Sequence, residues 1–129
     1  MVAQAIASGQ PVVALESTIF SHLGLPLPAN AEALDRCLEA VTSRGAVPAV
    51  TAVLDGVPRV GIAPEEHERI LGPARKAAER DLPVAVAQRW EFGATTVSAA
   101  LALAHAAYTS PHILLDGSLR SSAAFTRFS

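Results

Sequence analysis

The first half of the chain alternates between short apolar runs and one longer amphipathic stretch. The runs Pro11–Leu15 and Val47–Leu54 are rich in β-branched residues, and such short runs predict buried strands. Asn30 is the predicted N-cap of the helix between them, and Gly45 is predicted to end it. The apolar face of this helix recurs every three or four residues, at Leu34, Cys37, Leu38 and Val41. The order of strand, helix and strand is typical of an α/β fold.

Residues typical of turns divide the next segment of the chain, residues 55–73, into a predicted strand and a predicted helix. Asp55-Gly56 is a hairpin dipeptide, so Val57–Ile62 is predicted to return antiparallel to the strand before it. Pro64 suits the first turn of a short helix that runs to about Leu71, where Gly72-Pro73 breaks it. This segment therefore adds one strand and one helix to the predicted fold.

The patterned part of the chain continues to Ala107. A brief helix through Lys76 is predicted to lead to Asp81, and Pro83–Ala87 is predicted to form a strand. Gly93–Thr96 is expected to open a helix that is apolar on nearly all sides, as helices buried between two layers are. Strands that alternate with helices predict the α/β class, with a mainly parallel sheet and flanking helices.

The last part of the sequence differs from the rest. Ile113–Leu115 fits one more strand, but no periodicity is visible beyond Gly117. We therefore predict a domain over residues 1–108 and a divergent, poorly ordered tail over residues 109–129.

Composition narrows the class of protein. Among 129 residues, 10 Lys and Arg against 12 Asp and Glu give a net charge of −2, which lacks the positive excess typical of nucleic-acid or anionic-membrane binding. No apolar stretch reaches the roughly 18 residues of a membrane span, and the first residues lack the basic start of a secretory signal. The single cysteine excludes an internal disulfide framework. We expect a soluble cytoplasmic protein whose partner is neither nucleic acid nor a membrane.

Glu16 is the first candidate for chemistry, because it follows directly on the first predicted strand. In open α/β sheets, ligands bind at the carboxyl ends of strands. A carboxylate beside apolar residues can have a raised pKa and act as a general acid. Its position equally allows a carboxylate that only caps nearby backbone N–H groups.

Gly93–Thr96 is the second candidate, as a site for an anion. Backbone N–H groups and two hydroxyls at a helix start can bind phosphate, but Thr95 or Thr96 could equally be an ordinary N-cap. Lys76 is the only lysine in the chain. Its ammonium group could add positive charge to a phosphate site, although a single lysine is normally a solvated surface group. The four histidines show no metal-ligand spacing, so no metal ligand is predicted.

Six segments, in order along the chain, resemble the pseudouridine-5′-phosphate glycosidases, which form the indigoidine-A-like family. The segments are Val12–Ile19 with Ser21-His22, Leu25–Asn30, Gly45–Ala49, Val60-Gly61, Lys76 with Arg80–Pro83, and Gly93–Val97. The resemblance covers residue 11 to about residue 107. It implies the N-terminal portion of that family's α/β fold, truncated relative to the whole.

The resemblance also implies an activity. Members of the family cleave the C–C glycosidic bond of pseudouridine 5′-phosphate reversibly, giving uracil and ribose 5-phosphate, and they depend on manganese. A lysine amine attacks the sugar and a glutamate donates a proton. Carried over to this sequence, Glu16 is the proton donor, whereas Lys76, Thr96 and Val97 contact the substrate. The family is typically homotrimeric.

Two functional segments of the family have no counterpart in this sequence. They carry the nucleophilic lysine and the metal-binding aspartate, and Asp116 does not lie in a matching context. Mn²⁺ is thus the cofactor of the family, but its ligand residue is absent from this chain. The alternative to a glycosidase is an inactive, truncated remnant that at most binds a phosphosugar or pairs with a full-length subunit. Because a sheet cut midway exposes an edge and apolar faces, we also expect poor solubility or self-association.

Overall fold

The apolar runs of the sequence form a five-stranded sheet with helices on both faces. The computed structural model of the protein describes residues 2–109. The strands, in chain order, are β1 (Val12–Leu15), β2 (Val47–Leu54), β3 (Val57–Val60), β4 (Arg75–Ala77) and β5 (Phe92–Thr95). The α-helices are α1 (Val2–Ala7), α2 (Ala29–Ser43), α3 (His67–Ile70), α4 (Leu82–Ala87) and α5 (Val97–Thr109). Single 3₁₀ turns lie at Thr18–Phe20, Pro64–Glu66 and Glu79–Asp81. The predicted α/β class is confirmed.

Strand β2 is the centre of the sheet, because it pairs with three other strands. β1 runs parallel to its first half, with Val12 opposite Val47, whereas β3 and β5 run antiparallel to its second half. β4 pairs in parallel with β5 and forms an edge of the sheet. Two of the four pairings are therefore parallel. β1 and β5 run in opposite directions along β2, and their carboxyl ends meet beside it.

Each face of the sheet has its own apolar core, because successive side chains of β2 point to opposite faces. Ala49 and Val53 pack with residues of α1, α4 and α5. Val50, Ala52 and Leu54 pack with residues of α2 and α3. Burial on both faces explains why β2 is a nearly continuous apolar run in the sequence.

Two elements of the middle segment differ from the prediction. The segment around Lys76, predicted as a brief helix, is strand β4, because Arg75–Ala77 pairs with β5. Pro83–Ala87, predicted as a strand, belongs to helix α4. Its proline occupies the first turn, where a missing N–H costs nothing. Its buried residues lie three and four positions apart, on one helical face: Leu82, Ala85 and Val86.

The last helix begins later than the sequence predicted. Gly93–Thr95 is part of the buried strand β5, and α5 begins at Val97. β5 lies between β2 and β4, and a Cβ atom at Gly93 would lie only 3.2 Å from the Cβ atom of Val53. Pairing on both sides and this close approach explain why a segment of small residues forms a strand.

Asn30 does not cap α2, which begins at Ala29 after Pro28. The asparagine is fully buried, and its Nδ2 donates to the backbone oxygens of Phe20 over 3.0 Å and Leu71 over 3.2 Å. Asn30 therefore joins the loop after β1 to the end of α3, which satisfies buried backbone groups of both.

The hairpin and the end of α2 follow the glycine signals of the sequence. Asp55 and Gly56 both have positive φ, at 52° and 77°, as a type I′ turn requires. Gly45 follows α2 with φ 83°. Cys37 is half-buried against the core. From residue 110 onward, the predicted tail lies outside the described residues, and no helix among residues 2–109 is long and apolar enough to cross a membrane.

Candidate functional site

Three strands end at one place in the sheet. The backbone N–H of Ser17, just after β1, donates to the oxygen of Thr95, at the end of β5, over 3.1 Å. The N–H of Thr96 donates over 3.0 Å to the oxygen of Ala77, at the end of β4. We call this place, formed by Ser17, Ala77, Thr95 and Thr96, the strand-end junction. The carboxyl ends of strands are where α/β sheets usually bind ligands.

Three buried hydroxyl groups fill the strand-end junction. Ser17, Thr51 and Thr95 are each 0% exposed, and we call them the hydroxyl cluster. Thr95 Oγ1 lies 2.8 Å from Thr51 Oγ1 and 3.1 Å from Ser17 Oγ. Buried polar groups need hydrogen-bond partners, and no buried side-chain nitrogen or oxygen among residues 2–109 lacks one.

The hydroxyl cluster also binds the backbones of three strands. Thr51 Oγ1 donates to the oxygen of Leu15 in β1 over 3.0 Å. Thr95 Oγ1 donates to the oxygen of Thr51 in β2 over 2.8 Å, and the Thr95 N–H donates to Ser17 Oγ over 2.9 Å. Glu16 and Thr96 are the sequence neighbours of Ser17 and Thr95, whose positions these bonds fix. The cluster therefore determines where these two residues leave the sheet.

Glu16 is the first residue after β1 and is partly exposed. Its Oε1 accepts a bond from the Ile19 N–H over 3.3 Å, so the carboxylate caps the 3₁₀ turn Thr18–Phe20. The same turn is fixed by Thr18 Oγ1, which donates to the Thr95 oxygen over 2.8 Å. The capping contact that the sequence allowed is thus present. A carboxylate has two oxygens, so one such bond is compatible with proton donation.

Lys76 is an exposed residue of the edge strand β4, next to the strand-end junction. It lies opposite Ala94 of β5, so the two side chains leave the same face of the sheet. The neighbouring Arg75 is occupied elsewhere, because its guanidinium lies 3.9 Å from the centroid of the Trp90 ring. No ion pair among residues 2–109 includes Lys76. Its ammonium group can therefore meet an anionic ligand.

Thr96 lies at the start of α5. Its backbone oxygen accepts a bond from the Ala100 N–H over 2.9 Å, and its Oγ1 lies 3.1 Å from Ser98 Oγ. The hydroxyl groups of Thr96 and Ser98 thus lie in the first turn of α5, where the backbone N–H groups have no partner within the helix. Val97 begins α5 and is 63% exposed. Thr95, the other N-cap candidate, is instead a buried member of the hydroxyl cluster.

The described residues do not fit the manganese site that the family resemblance implies. No group of three or more His, Cys, Asp and Glu side chains within residues 2–109 is placed to hold a metal ion. The side chains that fill the strand-end junction are hydroxyls, whereas Mn²⁺ prefers sites rich in carboxylate and carbonyl oxygens.

Two bidentate ion pairs lie around the β2–β3 hairpin, and we call Asp55, Arg59, Glu66 and Arg69 the hairpin end. Arg59 donates to Glu66 over 3.0 and 2.6 Å, and these hydrogen bonds lower the pKa of the Glu66 carboxyl. Arg69 donates to Asp55 over 2.9 and 3.0 Å, which lowers the pKa of the Asp55 carboxyl. Both pairs are partly exposed, so each contributes little stability.

A cavity of about 590 Å³ lies beside the hairpin end. Its lining includes Arg69 together with Arg75 and Phe92, which begin β4 and β5. It therefore adjoins the amino ends of these strands, away from the strand-end junction. None of the site residues predicted from the sequence lines it.

Sequence reasoning proposed Glu16, Lys76 and Thr96 as candidates but missed the hydroxyl cluster beside them. One signal was present in the sequence. Thr51 is a polar residue inside the apolar run Val47–Leu54, and a buried hydroxyl in such a run requires a partner. Its partners lie 36 and 44 residues away, in Leu15 and Thr95, and no local pattern reveals contacts at that separation.

The sequence is similar to one family of known proteins. Residues 1–110 match the family of indigoidine synthase A like proteins. The chain is 50% identical over 101 residues to the pseudouridine-5′-phosphate glycosidase of Rhodospirillum centenum, and 48% identical over 103 residues to that of Arabidopsis thaliana. Each alignment covers 78% of this chain and 31% of the relative. The chain therefore spans about a third of the length of these relatives.

Two solved structures share the fold. The prealnumycin C-glycosynthase AlnA, solved in complex with ribulose 5-phosphate, has a TM-score of 0.69 and 33% identity over 82% of this chain and 34% of its own. An indigoidine synthase A-like protein from Thermotoga maritima has a TM-score of 0.66 and 37% identity over 74% of this chain and 32% of its own. Sequence and fold lead to the same assignment: the chain belongs to the indigoidine synthase A-like family.

Proposed function

We propose that this chain carries the proton-donor and phosphosugar-binding part of a pseudouridine-5′-phosphate glycosidase. The reaction is the reversible cleavage of the C–C bond between uracil and ribose 5-phosphate. One observation carries the proposal most directly. The hydroxyl cluster brings Glu16 and Thr96 to the same strand-end junction, in a chain that is half identical to relatives named as this glycosidase.

In this proposal Glu16 is the general acid. When the bond between the sugar and the uracil ring breaks, its electron pair stays with the ring carbon, which must then receive a proton. A carboxyl group that is fixed at the end of β1 can deliver that proton. The capping bond from the Ile19 N–H holds one oxygen of Glu16 in place, 3.3 Å away, and leaves the other for the substrate.

The phosphate of the substrate is proposed to lie at the strand-end junction, where α5 begins and β4 ends. The first turn of α5 offers backbone N–H groups and the Thr96 hydroxyl, and Lys76 offers an ammonium group from the adjoining strand. The ribulose 5-phosphate bound to AlnA supports a sugar phosphate as the ligand class. Binding the phosphate away from the reacting bond supplies energy for orienting the substrate.

The remaining chemistry requires groups that the described residues do not supply. The resemblance implies a nucleophilic lysine and Mn²⁺, and neither family segment that provides them has a counterpart in this sequence. A second candidate function is one in which this chain does not use these groups. The chain would then bind a phosphosugar, or pair with a full-length subunit, without turning over the substrate itself.

Uracil release from pseudouridine 5′-phosphate, measured with Mn²⁺ present, separates the two candidates. Binding of ribose 5-phosphate is measured on the same preparations by calorimetry. Glu16→Gln removes the proposed acid, and Glu32→Gln, an exposed residue in the first turn of α2, is the matched control. Release that Glu16→Gln abolishes and Glu32→Gln retains supports the glycosidase. Binding without release supports the second candidate, and neither in folded protein contradicts both the glycosidase and phosphosugar binding by this chain.

A further inference from the structure

The first turn of α5 is tied to the turn that follows β4. The Glu79 N–H, in the 3₁₀ turn Glu79–Asp81, donates to Ser98 Oγ over 3.1 Å. Two residues before Ser98, the Thr96 N–H donates to the Ala77 oxygen over 3.0 Å. These two bonds hold the start of α5 against the end of β4, which is where the phosphate is proposed to bind.

The Thr96 side chain does not cap the helix that follows it. Thr96 directly precedes α5, and a threonine in that position usually accepts a hydrogen bond from an N–H group of the first turn. Here its Oγ1 lies 3.1 Å from Ser98 Oγ instead, and its side chain makes no other hydrogen bond within residues 2–109. The N–H groups of the first turn are therefore left for a different acceptor.

The bond between the two hydroxyls has two possible directions. A hydroxyl has one proton to donate and two lone pairs with which to accept. The Glu79 N–H can only donate, so it occupies one lone pair of Ser98 Oγ. If Ser98 then donates to Thr96 Oγ1, the Thr96 proton stays available to a ligand. If Thr96 donates to Ser98 Oγ, the Thr96 proton is used within the protein.

An anion at the start of α5 selects the first direction. The oxygens of a phosphate accept hydrogen bonds, so Thr96 turns its proton towards the phosphate, and Ser98 supplies the proton between the two hydroxyls. The Glu79 N–H, the Ser98 hydroxyl and the Thr96 hydroxyl then form a row of donors that ends on the ligand. Each bond in such a row polarises the next one and strengthens it. The last bond is the strongest, because its acceptor is charged.

We propose that Ser98 is a positioning residue of the phosphate site and acts on the ligand through the Thr96 hydroxyl. It holds Thr96 Oγ1 in place, and by donating to it leaves the Thr96 proton for the phosphate monoester of the substrate. Ser98 itself does not touch the phosphate. This inference rests on the proposed function, because it places the phosphate at the start of α5. It adds the group that orients one of the substrate contacts.

Titrating the isotope-labelled chain with inorganic phosphate, and following the amide shifts of the first turn of α5 by NMR, tests the role of Ser98. Ser98→Ala is expected to weaken the affinity for phosphate about threefold to tenfold, the effect of losing one hydrogen bond. Ser98→Thr retains a hydroxyl and is expected to bind like the wild type. Ser43→Ala is the matched control, because Ser43 is an exposed serine of α2 whose hydroxyl bonds to the Ala40 oxygen of its own helix. Circular dichroism checks that every variant is folded.

A Thr96→Val background separates positioning from general support of the fold. The hydroxyl that Ser98 orients is absent there, so Ser98→Ala is expected to cause no further loss of phosphate affinity. A Ser98 that merely tied α5 to the turn after β4 would matter equally in both backgrounds. An equal loss in both backgrounds, an unchanged affinity in Ser98→Ala, or a loss that also occurs in Ser98→Thr would each overturn the proposal.

A parallel titration with ribose 5-phosphate distinguishes the role of Ser98 from the proposed function. Phosphate binding with the expected Ser98 pattern, but without any binding of ribose 5-phosphate, would contradict the proposed function and support the role of Ser98. Ribose 5-phosphate binding that is equal in the wild type and in Ser98→Ala would support the proposed function and overturn the role of Ser98. A folded chain that binds neither probe would contradict both.

Discussion

The strand-end junction and the hairpin end are held together by different kinds of interaction. At the strand-end junction, neutral hydroxyls that are 0% exposed bond to one another and to the backbones of three strands. At the hairpin end, charged side chains of Asp55 and Arg69 pair with 67% and 37% of their surfaces exposed. Buried hydrogen bonds are costly to break, whereas exposed ion pairs contribute little and are screened by salt. Of these two regions, the candidate active site therefore lies in the one whose structure depends less on pH and salt.

Among the variants that test this comparison, Thr95→Val is expected to lower the free energy of unfolding the most. The substitution keeps the shape of the side chain but removes the hydroxyl that donates to the Thr51 oxygen and accepts from the Ser17 N–H. Leaving buried partners unsatisfied should lower the free energy of unfolding by about 2–3 kcal/mol. Urea denaturation followed by circular dichroism measures the change, with Thr95→Ser as the variant that retains the hydroxyl. A loss of less than about 0.5 kcal/mol would mean that the cluster does not hold the junction.

Thr51→Val tests the same cluster from β2 and is expected to cost about 1–2 kcal/mol. Its hydroxyl donates to the Leu15 oxygen, so the substitution removes a hydrogen bond from a partly buried carbonyl group at the end of β1. Thr42→Val is a control, because Thr42 is an exposed threonine of α2 whose hydroxyl bonds within its own helix. Equal losses in the two variants would contradict a special role for the junction.

Glu66→Gln probes the hairpin end and is expected to cost about 0.5–1 kcal/mol in low salt. The substitution replaces a carboxylate that accepts two bonds from Arg59. Repeating the denaturation at about 1 M NaCl should remove most of this difference, because salt screens exposed charges. The loss caused by Thr95→Val should remain unchanged in salt. A loss that falls in salt would remove the contrast between the strand-end junction and the hairpin end.

The smallest expected effect is a change in the acid dependence of stability. Asp55 and Glu66 both have pKa values lowered by their arginine partners. Their stabilising contribution is therefore present above the pKa values of the unfolded chain and is lost as the pH falls through the lowered, folded values. Thermal melts from pH 7 to about pH 3 should show a shallower decline in an Asp55→Asn, Glu66→Gln double variant. An unchanged decline would show that other carboxylates control acid unfolding.

The sequence predicted the parts of the fold that depend on local patterns. β1, β2, the Asp55-Gly56 hairpin and α2 follow from β-branched runs, turn glycines and one apolar helical face. Each of these signals acts within about ten residues along the chain. Glu16 at the carboxyl end of β1 was predicted for the same reason.

Two of the wrong predictions, those for Arg75–Ala77 and Gly93–Thr95, share a physical cause, which is pairing between residues far apart in the sequence. Arg75–Ala77 and Gly93–Thr95 are strands because they pair with each other, and β5 also pairs with β2. A glycine and small residues have weak strand propensity by themselves, so tertiary contacts decide their structure. The hydroxyl cluster escaped prediction for the same reason, because Ser17 and Thr95 are 78 residues apart.

The central claim is that a phosphosugar binds at the strand-end junction. Titrating the isotope-labelled chain with ribose 5-phosphate, and following backbone amide shifts by NMR, tests it most directly. The account predicts saturable shifts at Thr96, Val97 and Lys76 that Lys76→Met weakens. Shifts centred on Arg69, Arg75 and Phe92, around the cavity beside the hairpin end, would place the ligand away from the strand-end junction and contradict the account.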